Sequence, residues 1–372
     1  MLTPMLRRLF ALLTLPVLAA SLLAADAKPM QGRYLYVAVP GIRNYLEYGG
    51  HGVLVYAIDA GHKLVRRIPA SGGTNEKGEH SNVKGICASA VTGRLYVSTI
   101  KTLQCFDLLT DGILWEKTYE AGCDRMSITP DGQTLYVPSF ENDHWLVIDA
   151  RDGSVIKKLT LNSRAHNTIV SPDGREAYLA GLGSPLLAVA DAKTHELQRK
   201  VGPFSAPVRP FTVNGRLTRV YANVNDLLGF EVGDLQTGRL LQQVQVTGFE
   251  KGPVKRHGCP SHGIALSPDE KELWLADGHN SQLHIFDLSD GQFRQKQSIP
   301  VRDQPGWITF SMDGKIVWPS TGEVIDAATK KIIATLKDEN GGPVHSEKLM
   351  EIDFENGKPV RAGNQFALGA VK

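Results

Sequence analysis

The sequence predicts an all-β fold, a single seven-bladed β-propeller of four-stranded antiparallel blades. Three observations support this prediction. An apolar strand that ends in aspartate recurs seven times, a strand–turn–strand pattern precedes most of its copies, and the two ends of the repeating region supply complementary parts of one blade. A period near 40 residues is typical of a blade, whose four short strands repeat around a central axis.

The aspartate-terminated strand is the clearest of the three. Successive copies are 39 to 53 residues apart, and they end at Asp59, Asp107, Asp149, Asp191, Asp234, Asp287 and Asp326. Short apolar runs such as WLVID and LHIFD are typical of buried strands that are bounded by turns. We expect each aspartate to cap a turn, because its side chain can accept hydrogen bonds from the backbone two or three residues further on.

The strand–turn–strand pattern occurs in ITPDGQTLYV, VSPDGREAYL and LSPDEKELWL, with weaker copies in ASAVTGRLYV, TVNGRLTRVYA and FSMDGKIVW. Proline fixes one backbone torsion of the turn and glycine accepts a positive φ, so these letters favour a hairpin. Each unit is therefore predicted to contain strands A, B, C and D in that order. Turns join A to B and C to D, and a loop joins B to C.

The ends of the chain predict how the ring closes. The segment RYLYVAVPG has the pattern of a strand B without its strand A, and KLMEIDFENG near the C-terminus has that of a strand A without its strand B. Pairing of the two would complete the first blade. It would also remove the exposed sheet edges that promote aggregation.

The N-terminus predicts export. Two arginines precede an apolar run at residues 9–24, and Ala25–Ala27 offers a small-x-small cleavage site. This pattern is that of a secretory signal peptide over residues 1–27. The alternative is an uncleaved anchor, although the run is short for a membrane span and Pro16 interrupts it. We therefore expect a periplasmic or extracellular protein whose single domain covers residues 28–372.

The composition of the chain limits the classes of partner that we expect it to bind. The chain has 372 residues, 42% of them hydrophobic, and a formal net charge of +2. So small a charge provides no strong field for nucleic acid or for acidic membranes, and we expect neither partner. Four cysteines are present, and the sequence leaves their pairing open. They are Cys87, Cys105, Cys123 and Cys259.

The repeat also predicts a site. In a propeller the strands A line the central channel, so residues at the starts of these strands meet at one end of it, which we call the mouth. Aligning three units on the turn proline, and the weaker copies on the same turn, places five polar residues at one repeat position, with an aromatic residue as an apolar wall beside them. They are Lys84, Asp124, His166, Arg209 and His262, with Trp307. This set is suited to a small polar or anionic ligand, and the alternative is a solvated rim without a ligand.

Loops between strands B and C reach the same end. The longest, Pro40 to Gly52, carries Tyr45, Glu47 and His51, and another contributes Asn225. We expect these residues to take part in ligand binding, because recognition residues of propellers and other rigid scaffolds are concentrated in loops.

The combination of SPDG-x-x-x-Y-[VL] and [VI]-x-x-[IVA]-D resembles the YVTN-repeat, YncE-like family of secreted propellers over nearly all of the mature chain. The resemblance implies the fold, but not one activity, since propellers include both binding proteins and enzymes. Our first hypothesis is a monomeric, non-catalytic propeller. It would bind a small ligand, a polymer or another exported protein at the mouth.

The second hypothesis is an enzyme of the propeller lactonase, cycloisomerase or metal-dependent lyase type. RAHNTIVSPDG and PVRPFTVNGRLTRVYANVND are similar to the histidine-bearing and arginine-bearing strands of lactonases and cycloisomerases. The similarity implies that His166 is a general acid or base and that Arg209 holds a carboxylate or an oxyanion. His262 would be the third catalytic residue, beside a divalent ion in the lyase variant. Asn225 stands where those enzymes tend to have an acidic residue.

The sequence also contains residues that could bind a metal ion. Cys259 and His262 are spaced like metal ligands, and His257 lies beside them. Because His262 occupies a repeat position, we interpret the Cys-x-x-His spacing as accidental. The chain has no HxH, HExxH or CxxC motif, so we expect no cofactor and keep a divalent ion bound by His166 and His262 as the alternative.

Overall fold

The computed structural model describes residues 30–70, 74, 77–254 and 256–371. The expected signal peptide at residues 1–27 lies outside this part of the chain. The described residues form short strands and a single turn of 3-10 helix, Ile58–Ala60. Within them, no helix has the length and apolar character needed to span a bilayer.

The strands of the first three blades, in chain order, are β1 Gly32–Val39, β2 Gly52–Ala57, β3 Lys63–Ile68, β4 Val83–Ser89, β5 Arg94–Thr99, β6 Thr102–Asp107, β7 Ile113–Thr118, β8 Ser127–Ile128, β9 Thr134–Pro138, β10 His144–Asp149 and β11 Val155–Thr160. The next two blades contain β12 Ala165–Val170, β13 Glu176–Gly181, β14 Leu187–Asp191, β15 Leu197–Val201, β16 Val208–Val213, β17 Arg219–Val224, β18 Gly229–Asp234 and β19 Leu240–Gln245. The remaining strands are β20 Ile264–Leu266, β21 Glu272–Asp277, β22 Gln282–Asp287, β23 Arg294–Pro300, β24 Ile308–Phe310, β25 Ile316–Pro319, β26 Glu323–Asp326, β27 Ile332–Thr335, β28 Leu349–Glu355 and β29 Lys358–Ala362.

These strands form seven antiparallel sheets, which confirms the predicted propeller. Six sheets contain four consecutive strands, and the seventh joins both chain ends in the order β29-β28-β1-β2-β3. Strand β28 pairs with β1 from Gly32 opposite Phe354 to Val37 opposite Leu349. The C-terminal strand therefore completes the first blade, as predicted. Strand β29 is a fifth strand of that blade, which the repeat pattern did not predict.

The turns follow the predicted chemistry. Strands β6, β10, β14, β18, β22 and β26 all end at the repeated aspartate. Asp107 is typical, since its Oδ1 accepts hydrogen bonds from the backbone N–H groups of Leu109 at 2.8 Å and Thr110 at 2.9 Å. The first copy differs. Asp59 lies in the 3-10 helix and accepts a hydrogen bond from the backbone N–H of Arg33.

The hairpins between strands A and B need a left-handed residue. Gly132, Gly174 and Gly314 supply it with φ near +70°. In the LSPDEKELWL copy, Glu270 adopts φ +58° in their place. Glycine takes this conformation without steric cost, whereas a residue with a Cβ does not.

The core lies between the blades. Seven clusters of buried apolar side chains each draw on two neighbouring sheets. One of them packs Leu35 and Tyr56 of the first blade against Trp318 and Val324 of the seventh, which closes the ring. The outer strands D face solvent, as in Ile113–Thr118, where five of six residues are exposed.

The last residues cover the end of the channel opposite the mouth. After β29, the tail at residues 363–371 crosses from the first blade to the fifth and sixth. The backbone oxygen of Ala367 accepts hydrogen bonds from Leu266 N at 3.1 Å and Thr212 Oγ1 at 2.8 Å.

Candidate functional site at the channel mouth

Five of the predicted residues converge at the mouth because the first strands of their blades point to one axis. Lys84 is the second residue of β4 and His166 the second of β12, while Asp124, His262 and Trp307 precede β8, β20 and β24 by three, two and one residues. The ring centroids of His166 and His262 are 6.5 Å apart. Residues almost a hundred positions apart in sequence therefore share one small volume.

The first group at the mouth is built on Asp124, which is fully buried. Its Oδ2 accepts a hydrogen bond from Nδ1 of His166 at 2.7 Å, and Lys84 Nζ lies 3.5 Å from Oδ1. Burial would raise the pKa of Asp124, but His166 and Lys84 hold it below its ordinary value. Burial lowers the pKa of His166, and Asp124 offsets only part of this effect. At neutral pH His166 is thus a neutral imidazole with its lone pair on Nε2.

The second group is built on Glu347, whose two oxygens have different neighbours. Oε2 accepts hydrogen bonds from Arg125 Nη2 and Lys348 Nζ, both at 2.9 Å. Oε1 lies 3.3 Å from His257 Nδ1 and 3.9 Å from His262 Nδ1. The two imidazole rings stack with centroids 4.4 Å apart. All five side chains are at least nine-tenths buried.

Burial controls the protonation of this group. Desolvation lowers the pKa of Lys348 to about 7, although Glu347 partly opposes the shift. Burial would raise the pKa of Glu347, but Lys348 and the two histidines hold it well below its ordinary value. Burial also lowers the pKa of His257 and His262. The group at neutral pH therefore contains an ionised glutamate, a charged arginine, a partly protonated lysine and two neutral imidazoles.

Trp307 lies at the mouth, but its ring is covered and does not face an open channel. The guanidinium of Arg125 lies 3.6 Å from its ring centroid and covers it, in a cation–π contact that is strong when it is desolvated. The indole Nε1 donates a hydrogen bond to the backbone oxygen of Gln365 in the tail. Trp307 thus connects the ionic group at the mouth to the segment that covers the other end of the channel.

Arg209 and Asn225 bind each other beside these groups. Arg209 Nε donates to Asn225 Oδ1 at 2.5 Å, and Nη2 donates to the backbone oxygen of Gly258 at 3.2 Å. The neutral amide of Asn225 leaves the positive charge of Arg209 uncompensated at this contact.

The predicted residues of the long loop between β1 and β2 lie in different surroundings. Tyr45 and Tyr48 pack against Arg256, whose guanidinium carbon lies 5.9 and 5.6 Å from their ring centroids. Glu47 is exposed on this loop. His51 stacks instead on His80 at 3.7 Å, between the first and second blades.

Four residues of the mouth were not among the predicted site residues, namely Arg125, His257, Glu347 and Lys348. Arg125 directly follows a predicted site residue, so inspection of the neighbouring position would have found it. Glu347 and Lys348 directly precede β28, and so they occupy the mouth position of the first blade. That blade is assembled from both chain ends and lacks the Pro-Asp-Gly turn, which left no marker for alignment.

Donor atoms from His257, His262 and Glu347 lie within 4.8 Å of one another. Two of the candidate atoms, His257 Nε2 and Glu347 Oε1, are buried without a hydrogen-bond partner. Cys259 is not part of this set. Its thiol donates to Ser261 O at 3.0 Å, and burial raises its pKa to about 12. All four cysteines are buried and unpaired.

Comparisons with known proteins agree with the fold. No family model matches the sequence, and no curated protein sequence matches it. Among solved structures, the chain is similar to the Cps50 (Swd1) β-propeller domain of Myceliophteria thermophila, with 12% identity, a TM-score of 0.59, and coverage of 79% of this chain and 94% of that one. It is also similar to the dihydro-heme d1 dehydrogenase NirN, with 15% identity, a TM-score of 0.63, and coverage of 92% and 75%. At these identities the likeness establishes a β-propeller architecture.

Proposed function

We propose that this chain binds a small anionic ligand at the mouth of the propeller channel. One observation carries the proposal. Three basic side chains, Lys84, Arg125 and Lys348, share a buried volume with only two carboxylates, Asp124 and Glu347. Taking charges out of water is costly unless they are balanced, and a bound anion would supply the missing negative charge.

Ring closure does not account for this group, because the cores that join the blades are apolar. The chain therefore carries a costly ionic cluster at the axis in addition to a complete fold. Such clusters with shifted pKa values are concentrated at functional sites. Arg209, whose hydrogen-bonded partner Asn225 is neutral, adds positive potential at the edge.

The protonation of Lys348 predicts how anion binding depends on pH. Its pKa is lowered to about 7 by burial, so a fraction of the molecules lacks this charge at neutral pH. An anion bound nearby favours the protonated form. We therefore expect proton uptake on binding, and an affinity for anions that decreases as the pH rises from 6 to 8.

The test is a titration of the mature chain with citrate, gluconate and phosphate at low ionic strength, followed by calorimetry and thermal unfolding. At least one anion should bind and raise the melting temperature. Lys84→Met should weaken this binding at least about tenfold, the effect of losing one charge-assisted contact. Lys117→Met is the matched control, since it removes the same charge from an exposed outer strand of the same blade. Equal binding by Lys84→Met, or binding of none of these anions, would contradict the proposal.

A second candidate is an enzyme, and the hydrogen bond between Asp124 and His166 favours it. A buried carboxylate that accepts from Nδ1 fixes the tautomer of the imidazole, so that Nε2 can take a proton from water or substrate. Hydrolysis of δ-gluconolactone would test this candidate. The wild type should exceed the buffer rate, and His166→Gln should return it to that rate. Activity that persists in His166→Gln would exclude His166 as the base.

We also propose that the protein acts outside the cytoplasm, as an exported YncE-like propeller. The support is the N-terminal pattern of two arginines, an apolar run and Ala25–Ala27. Expression of the full chain followed by fractionation and N-terminal sequencing tests it. A mature N-terminus near residue 28 is expected, and an intact Met1 in the cytoplasm would contradict it.

A further inference from the structure

We propose that His257, His262 and Glu347 form a binding site for a divalent transition-metal ion, with Zn²⁺ as the best match. This inference goes beyond the anion site and does not depend on it. The three residues come from the loop before β20 and from the segment before β28. Their donor atoms lie within 4.8 Å of one another, although no sequence motif unites them.

The ring nitrogens have the tautomers that a metal site needs. Nδ1 of His262 lies 3.0 Å from the backbone oxygen of Gly306. A carbonyl can only accept, so Nδ1 carries the proton and Nε2 carries the lone pair. Metal-binding histidines usually donate their second ring N–H to a carbonyl or carboxylate in this way.

His257 has the same arrangement. The backbone of Gln304 hydrogen-bonds its ring and favours the protonated nitrogen. Nε2 is buried without a partner, so this contact involves Nδ1. The lone pair of Nε2 thus lies in the interior with no donor to satisfy it. Buried polar atoms are rarely left in this state, and a metal ion would satisfy it.

Glu347 supplies the anionic ligand. Its Oε2 is bound by Arg125 and Lys348, while Oε1 has no hydrogen-bond partner although it is buried. The two cations keep the carboxylate ionised, and they occupy only the oxygen that faces away from the histidines. They also reduce the affinity for a second cation, so we expect weaker binding than in a site without them.

Gly306 leaves the space between the unsatisfied atoms open. A Cβ at this residue would lie 2.2 Å from His257 Nε2 and 2.7 Å from Glu347 Oε1. Both atoms therefore face the same point. Bonds from Zn²⁺ to nitrogen and oxygen are about 2.0 to 2.2 Å long, so ligand atoms in a tetrahedral site lie about 3.3 to 3.6 Å apart. Donor atoms at the outer limit of 4.8 Å would have to close by about 1.5 Å to bind one ion.

The donor set indicates the ion. Two imidazoles and one carboxylate match the three protein ligands of many catalytic zinc sites, in which a fourth position is left for water or substrate. Imidazole ligands select zinc, copper, nickel and iron over calcium and magnesium, which prefer oxygen. The site would thus hold its ion beside the anion-binding groups at the mouth.

The test uses the mature, tag-free chain, stripped with EDTA and titrated with Zn²⁺ by calorimetry and with Co²⁺ by its visible absorption. We expect about one ion per chain and a tetrahedral or five-coordinate Co²⁺ spectrum. His257→Gln and His262→Gln should each weaken binding at least about tenfold. His279→Ala, which removes an exposed histidine, should bind as the wild type does.

Gly306→Ala provides a second test that keeps all three ligands and fills the space between them, and it should also lose the ion. Circular dichroism and melting temperatures identify any variant that fails to fold. Absence of stoichiometric binding in the wild type, or unchanged binding in both glutamine variants and in Gly306→Ala, would overturn the proposal. Since no anion is added and Lys84→Met should keep the metal, failure here is separate from failure of the anion site.

Discussion

At the residue scale, the two carboxylate oxygens of Glu347 have different neighbours, and this difference organises the mouth. One carboxylate oxygen is bound by Arg125 and Lys348, and the other faces His257 and His262. Because all of these groups are buried, each charge acts on its neighbours with little screening from water. Burial lowers the pKa of Lys348, His257 and His262, and the negative charge of Glu347 opposes part of this effect on each of them.

His62 provides a residue-scale prediction that concerns stability. Its Nε2 accepts a hydrogen bond from Trp318 Nε1 at 2.9 Å, so the folded state needs a neutral ring. Burial lowers its pKa from 6.5 to about 4. The unfolded chain binds a proton between these values and the folded chain does not, so stability is complete above about pH 6.5 and decreases as the pH falls towards 4.

We expect His62→Gln to make this decrease smaller by up to roughly 3 kcal/mol, since glutamine keeps an acceptor that does not titrate. Urea unfolding at pH 7.5, 6, 5 and 4 measures it. The difference between variant and wild type should grow only below pH 6.5. A constant difference across this range would show that His62 does not titrate in this way.

At the element scale, the blades owe their regular length to the turns. In the second to seventh blades, strand C (β6, β10, β14, β18, β22 and β26) ends at an aspartate that accepts hydrogen bonds from backbone N–H groups. These aspartates are partly buried and lie in hairpin turns, away from the mouth residues. Their recurrence reflects turn formation, and this distinguishes them from Asp124, which is buried and bonded to His166.

Asp107 tests this role. Asp107→Ala removes the acceptor of the Leu109 and Thr110 N–H groups, and it should reduce the free energy of unfolding by roughly 1 kcal/mol. Asp107→Asn keeps an acceptor oxygen and should be close to the wild type. Chemical denaturation measures both variants. If alanine and asparagine were equally destabilising, charge rather than capping would be the contribution of this residue.

At the scale of the whole molecule, closure of the ring creates the mouth. Pairing of β28 with β1 brings Glu347 and Lys348 to the axis and completes the apolar contact between the seventh and first blades. The tail then covers the opposite end through Trp307, Thr212 and Leu266. The C-terminal part of the chain therefore contributes to ring closure, to the ionic cluster and to the contacts at the end opposite the mouth.

Two truncations separate these contributions. Removal of residues 349–372 deletes β28, exposes the edge of β1 and should give an aggregated or unfolded product. Removal of residues 363–372 keeps the ring and deletes only the tail, so it should give a folded protein with a lower melting temperature. Size-exclusion chromatography and circular dichroism distinguish the outcomes. A soluble, cooperative product from the longer truncation would contradict closure by β28.

The prediction from sequence was most successful where information is local and repeated. The order of strands within a blade, the aspartate turns and the pairing of the two chain ends follow from periodicity, because each blade uses the same buried strands and the same turn chemistry. The repeat also located Lys84, Asp124, His166 and His262, since a fixed position in every blade maps to a fixed distance from the axis. His51 could not be placed in this way, because its loop departs from the repeat and its ring packs on His80.

The sequence by itself determined the propeller, its seven blades and the height of the mouth residues along the axis. Only the tertiary structure decided which of these residues touch, that Arg125 covers Trp307, and that Glu347 joins two histidines from another blade. The physical reason is that periodicity specifies position within a blade, whereas contacts across the channel depend on side-chain length, charge and burial after the ring has closed.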